Sequence, residues 1–367
     1  MKILILTAAL LALPFAATAQ QPAGIPHTTT ETPATCAPSM GLNYVCGPDQ
    51  PEDLLQIGGS KWLVASGMGE KGGVFLIDSE AKSSKRLFTG QKNPDAKMYP
   101  GCAAPDVAHF NTHGLALRPA KVAGTYTLYS VTHAPFESIH VFALDARGAE
   151  PNLTWTGCIK LPADFKTNAV TATRDGTILI NVQMHGSQTD FISGNITGGV
   201  WEWMPKEKTL RLLPGTELAG NNGIELSPDE KEFYIAVSGT QTVAIYSRAD
   251  TSRPVRQVKT PWYNLDNIHW SGDRLIAAGM MFDEPACGGT RKQMQDAHAN
   301  MGCHRGWVAS QLDPKTMTWK ILAYGEPNPD FGGIATALVV GQKGKETLWL
   351  SSFQMNRVAY RTLPGAR

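Results

Sequence analysis

Short side chains that carry oxygen recur just ahead of apolar runs along this chain. The pairs Glu52-Asp53 and Asp266-Asn267, and the single residues Asn168 and Asn222, each stand before a stretch that reads as a β-strand, and His113 holds the same kind of slot. Carboxylates from two segments and amide oxygens from three asparagines make a hard donor set. That set suits Ca²⁺, which takes roughly six to eight oxygens in flexible geometry, better than Mg²⁺, which demands a stricter octahedron. Zinc would want His or Cys ligands, and only one His shares the slot. Taken singly, each of these residues is an ordinary turn former, because Asn and Asp tolerate left-handed backbone and cap themselves. They become a site only if the fold brings positions 52 to 267 to one point.

The elements around them supply a way. Short apolar runs recur with turn signals between them, and long amphipathic helical patterns are absent. The stretch GIELSPDEKEFYIAVSGTQTVAIYSR, followed by PVRQVKT, reads as a four-stranded antiparallel meander. Comparable sets begin near Glu52, His113, Asn168 and Asn267, and a three-stranded set (ATALVVG, TLWLSSF, RVAYRTL) ends the chain. Four strands recurring every roughly 45 to 65 residues predict an all-β fold, a six-bladed β-propeller of four-stranded antiparallel blades. The last blade lacks a strand, so the N-terminal segment is expected to close it and remove the exposed edges. In a propeller the innermost strands begin around a central channel. The slots of five blades, four bearing oxygen and one holding His113, would then meet on the axis, with Gly332-Gly333 in the sixth.

Composition agrees with this organisation. The chain has 367 residues, net charge +1 and only 18% charged residues, with abundant Gly and Pro for tight turns. No basic stripe suggests nucleic acid. Residues 1–19 carry an early Lys, an apolar middle and Ala17-Thr18-Ala19, the pattern of a secretory signal peptide cleaved after Ala19. No later segment is long and apolar enough to predict a transmembrane helix. Residues 20–45 read as a polar lead-in and 46–367 as one propeller domain, secreted or periplasmic. Six cysteines in an oxidising compartment favour disulfides. Of the fifteen possible pairings, Cys36 with Cys46 closes a short loop, Cys287 with Cys303 ties a polar insertion, and Cys102 with Cys158 remains.

Several of these motifs carry a family resemblance. PEDLLQIGGSKWLVASG, FNTHGLAL, LYSVTHAPFESIHVFAL, NNGIELSPDEKEFYIAVS and NLDNIHW resemble the blade entries of the paraoxonase-type calcium-dependent lactonases and arylesterases, within the gluconolactonase-like six-bladed propellers. The similarity runs from about Glu52 to the C-terminus. It implies one catalytic Ca²⁺ held by Glu52, Asn168, Asn222, Asp266 and Asn267. It also implies a histidine pair, His113 as base on water with His133 orienting it. The family's second, structural Ca²⁺ would use Asp53 and the carbonyl of Leu115, but the third ligand position here is Ala169, which offers no side-chain oxygen. The family also ties its N-terminal segment to the C-terminus by a disulfide, and RVAYRTLPGAR contains no Cys.

The expected activity is hydrolysis of a small-molecule lactone or aryl ester, the metal polarising the carbonyl and His113 activating water. His185, in a longer segment that could reach the channel mouth, and Phe110, near a ring entry, are candidates for substrate contact; Trp262 and Tyr263 could line the same pocket. No G-x-S-x-G elbow supports a serine hydrolase. Two alternatives stay open: phosphotriester hydrolysis at the same site, and a non-catalytic binding propeller whose metal is structural.

Overall fold

A computed structural model describes residues 36–186, 190, 194–281 and 303–364. The described strands form six four-stranded antiparallel sheets. Blades 1 to 5 are consecutive meanders, and their inner strands are Leu54–Gln56, Leu115–Pro119, Phe165–Ala172, Asn221–Leu226 and Tyr263–Ser271. Blade 6 takes three strands from the C-terminal part, beginning with Ile334–Val340, and its outer strand, Asn43–Cys46, from the N-terminal part. That closing strand pairs antiparallel with Arg357–Thr362, Asn43 opposite Tyr360 and Cys46 opposite Arg357. Each inner strand touches the next, and Ile334–Val340 touches Leu54–Gln56, so the circle is complete. This is the six-bladed, strand-closed propeller expected from the repeats.

The core is divided as the period of a strand demands. Successive side chains leave opposite faces of a sheet, and every sheet here lies between two others. Leu54 therefore packs toward blade 6 with Leu338 and Trp349, while Leu55 packs toward blade 2 with Leu128 and Phe142. Ala169 and Val170 split the same way, toward blades 4 and 2. Six buried clusters result, one at each blade interface. Burial on both faces also explains why IATALVV is apolar throughout, with one Thr, where a one-sided sheet would alternate.

Two disulfides join described residues, Cys36–Cys46 at the end of the closing strand and Cys102–Cys158 between the segment ahead of blade 2 and that blade's outer strand. Both pairings were expected, and they fit an oxidising compartment. Cys303 is also disulfide-bonded; its expected partner Cys287, like the leader at 1–19, lies outside the described residues. No described helix is long and apolar enough to cross a membrane.

Candidate functional site

The site is built from faults in the inner strands. In blade 3 the pairing register breaks between Lys166 and Thr167 and again across Asn168, between Thr167 and Ala169; in blade 4 it breaks between Asn221 and Ile224, and in blade 5 between Leu265 and Ile268. Each break is a β-bulge, which frees residues from the ladder and re-aims them. Asn168, Asn222, Asp266 and Asn267 sit in these bulges. They thus lie inside their strands, a small departure from the expected position just ahead of them, whereas Glu52-Asp53 and His113 do precede theirs. The glycines beside them permit close approach of neighbouring strands. A Cβ on Gly114 would lie 2.3 Å from the Asn168 carbonyl oxygen, and one on Gly223 would lie 2.7 Å from the Asn267 Cα. The His-Gly and Asn-Gly steps are therefore packing requirements at the axis.

Three of the expected ligands meet around His113. Asn267 Nδ2 donates to Glu52 Oε1 at 2.7 Å, His113 Nε2 lies 3.5 Å from the same oxygen, and Asn168 Nδ2 lies 3.5 Å from His113 Nε2. Asn222 adjoins them through Gly223, which packs on Asn267, and Asp266 acts electrostatically on His113. Glu52 Oε2 and the Oδ1 atoms of Asn168, Asn222 and Asn267 are buried with no hydrogen-bond partner among the described residues. Leaving one such atom unsatisfied costs about 1–3 kcal/mol. Four at one place, from four blades, are what a hard cation would satisfy. Burial, and then the charge of Asp53, push the Glu52 carboxyl well above the usual range, so the ring lacks positive charge. The donor set fits Ca²⁺ in hardness and irregularity. Among the described residues no three His, Cys, Asp or Glu side chains gather to hold a metal by themselves; here asparagine supplies most of the oxygens.

The histidine pair also meets. His113 Nδ1 lies 2.8 Å from His133 Nε2, and His133 Nδ1 lies 2.8 Å from Glu137 Oε1. Burial holds His113 below its ordinary value, against the pull of Asp266, Asp53 and Glu137. His113 is therefore kept neutral, as a base must be.

The expected second ion meets a different arrangement. Asp53 Oδ1 accepts from the Leu54 amide at 2.8 Å and the Thr336 hydroxyl at 2.9 Å, with His269 Nε2 also at 2.9 Å. Its Oδ2 accepts from the Leu115 amide at 2.7 Å, so the N–H of Leu115 is what faces Asp53. Neither oxygen is left over, and these residues do not fit a second Ca²⁺. His269 also lies 3.4 Å from Glu225 Oε2, and Arg118 lies 3.4 Å from Glu225 Oε1. Burial pulls His269 down, but Asp53 and Glu225 outweigh it and hold the imidazole up at about 10. A protonated side chain thus supplies positive charge where the family resemblance implied a metal.

Sequence reasoning assigned no role to His269 and did not single out Glu225, Arg118, Thr336 or Glu137. The one available signal was spacing: His269 follows Asn267 by two residues, so both leave the same face of the strand. Phe110 sits in the packing between blades 1 and 2, 2% exposed, against Phe88, Phe142 and His140. His185 is exposed at the end of its strand, against Phe165 and Trp201. Parts of the segment that follows His185 lie outside the described residues.

Fold and site together define a six-bladed propeller with an oxygen-lined axial ring and a histidine pair at its edge. Neither a family model nor a curated protein sequence matches the chain. Among solved structures it is similar to a luciferin-regenerating enzyme, 14% identical over 89% of this chain and 98% of that one, with a TM-score of 0.51. It also aligns with an aldose sugar dehydrogenase from Streptomyces coelicolor, 12% identical over 88% and 99% of the two chains, with a TM-score of 0.48. The first of these likenesses shows the fold.

Proposed function

We propose that this protein is a calcium-dependent hydrolase of lactones and aryl esters. One observation carries the reading: unsatisfied oxygens of Glu52, Asn168, Asn222 and Asn267 are buried beside a neutral imidazole. The resemblance of the Glu-Asp, His-Gly and Asp-Asn entries to paraoxonase-type lactonases supports it. Glu52, Asn168, Asn222, Asp266 and Asn267 would hold Ca²⁺. The bound ion would polarise the substrate carbonyl and stabilise the negative charge that develops on its oxygen. His113 Nε2 takes a proton from the attacking water and returns it to the departing alkoxide or phenolate. The disulfides, with the leader expected at 1–19, support a secreted or periplasmic location.

The test is a panel of lactones, aryl esters and phosphotriesters, each assayed with Ca²⁺ and with excess chelator. Lactone and aryl-ester turnover should vanish with the chelator and return with added Ca²⁺. Full activity in chelator, or no ester turnover under any condition, would overturn the proposal. Turnover of the phosphotriesters alone would reassign the bond that is cleaved.

A further inference from the structure

We infer that Glu137 is a positioning residue that sets the proton positions of both histidines; the inference rests on the catalytic reading of His113 given above. Glu137 is nearly fully buried and held from several sides. Its Oε1 lies 2.8 Å from His133 Nδ1, its Oε2 accepts from the Thr167 amide at 3.3 Å, and its backbone oxygen accepts from the Leu161 amide at 2.9 Å. Lys166 Nζ, largely exposed, lies 3.9 Å from Oε1. Five residues, His133 to Glu137, make the turn between two strands of blade 2, so the carboxylate and the ring it meets belong to one short loop.

Hydrogen-bond logic then runs in one direction. A carboxylate accepts, so His133 must donate from Nδ1. In the neutral ring its Nε2 is then an acceptor, and the contact at 2.8 Å requires His113 to donate from Nδ1. The lone pair of neutral His113 is thereby fixed on Nε2, the atom that Asn168 Nδ2 approaches at 3.5 Å and that faces Glu52. Without Glu137, His133 could turn either nitrogen toward His113, and the base would lose its lone pair to the wrong edge in part of the population. During turnover His113 Nε2 takes one proton from water. The resulting charge is spread through His113 Nδ1–H to His133 and through His133 Nδ1–H to the carboxylate, with no further proton transferred. The proton then leaves Nε2 for the departing oxygen.

The experiment compares wild type with Glu137→Gln and Glu137→Asp. Imidazole ¹⁵N shifts should show His133 and His113 each protonated on Nδ1 and bare on Nε2 in wild type. In Glu137→Gln both should become tautomer mixtures. For ester turnover, kcat should fall roughly 10- to 100-fold in Glu137→Gln, with KM, Ca²⁺ affinity by calorimetry and melting temperature near wild type. Glu137→Asp should restore part of kcat. Unchanged ¹⁵N shifts in Glu137→Gln, or a kcat loss matched by equal losses of Ca²⁺ affinity and melting temperature, would overturn the inference. A wild-type protein that turns over no ester would sink the proposed function, while the shifts would still decide whether Glu137 sets the tautomers.

Discussion

Two layers of the axis, one to three residues apart along the chain, solve the same electrostatic problem differently. One gathers Glu52, Asn168, Asn222 and Asn267 and leaves four buried oxygens without a partner among the described residues. The next gathers Asp53, Glu225, His269 and Arg118, and its carboxylates are met by side-chain cations and amides. Consecutive residues fall on opposite sides of this divide. Burial and Asp53 push Glu52 well up, whereas for Asp53 the same burial is outweighed by His269 and two backbone N–H groups, which hold it down. A buried carboxylate needs a compensating charge close by, and only one layer carries its own. The layer without one is where a ligand is expected.

The strongest way to break this contrast is to remove the ring's oxygens. Asn222→Ala or Asp266→Ala should cut ester turnover on the order of 100-fold or more and weaken Ca²⁺ binding measured by calorimetry. Equal, small effects in these variants and in His185→Ala would dissolve the ring as a unit. His113→Gln should lower kcat on the order of 100-fold while calorimetry shows Ca²⁺ affinity retained, separating the base from the ligands.

The layer around Asp53 and His269 predicts the opposite phenotype. His269→Leu leaves Asp53 and Glu225 buried without their cation, which should cost about 3–5 kcal/mol of stability in denaturant titrations. A smaller loss, below about 1 kcal/mol, would mean that solvent or an ion compensates Asp53, and the two layers would cease to differ. His140 sharpens the point, because it is buried beside Trp155 with no carboxylate bonded to it among the described residues. Trp155 Nε1 donates to its Nδ1 at 3.0 Å, and burial pushes it down to about 4. The unfolded chain therefore binds the extra proton first as pH falls. Stability should be intact above about pH 6.5 and decline by about 3 kcal/mol toward pH 4. His140→Gln, which keeps an acceptor for Trp155, should flatten that slope in pH-dependent unfolding. An unchanged slope would place the titration elsewhere. The smallest effect belongs to His185→Ala, whose exposed ring should alter KM by no more than about twofold, within the range of ordinary surface changes.

How much of this was legible beforehand follows from the kind of signal involved. Strand count, blade number and strand closure were written in local patterns: apolar runs of strand length, turn residues between them, and a C-terminal set one strand short. The ring residues were legible because a propeller repeats its geometry, so equivalent slots can be aligned without knowing any distance. The bulges that aim Asn168, Asn222 and Asn267 inward left no such mark, since a register break depends on the partner strand. His269 was invisible as a cation because its charge comes from Asp53 and Glu225 in two other blades. Phe110 was read by its nearness to His113 in sequence, yet it packs between blades 1 and 2, since neighbouring residues leave a chain in different directions.

The sequence by itself determined the all-β class, the number of blades and the identity of the oxygen-bearing residues, because these rest on short-range periodicity and composition; which cysteines pair was settled only by the fold. Only the tertiary structure decided which of those oxygens go unsatisfied and which carboxylate meets a protonated histidine. It likewise decided that Glu137 faces His133 in the turn they share. Those are matters of distance and burial, and a charge 3 Å away in a dry interior counts for far more than its separation along the chain.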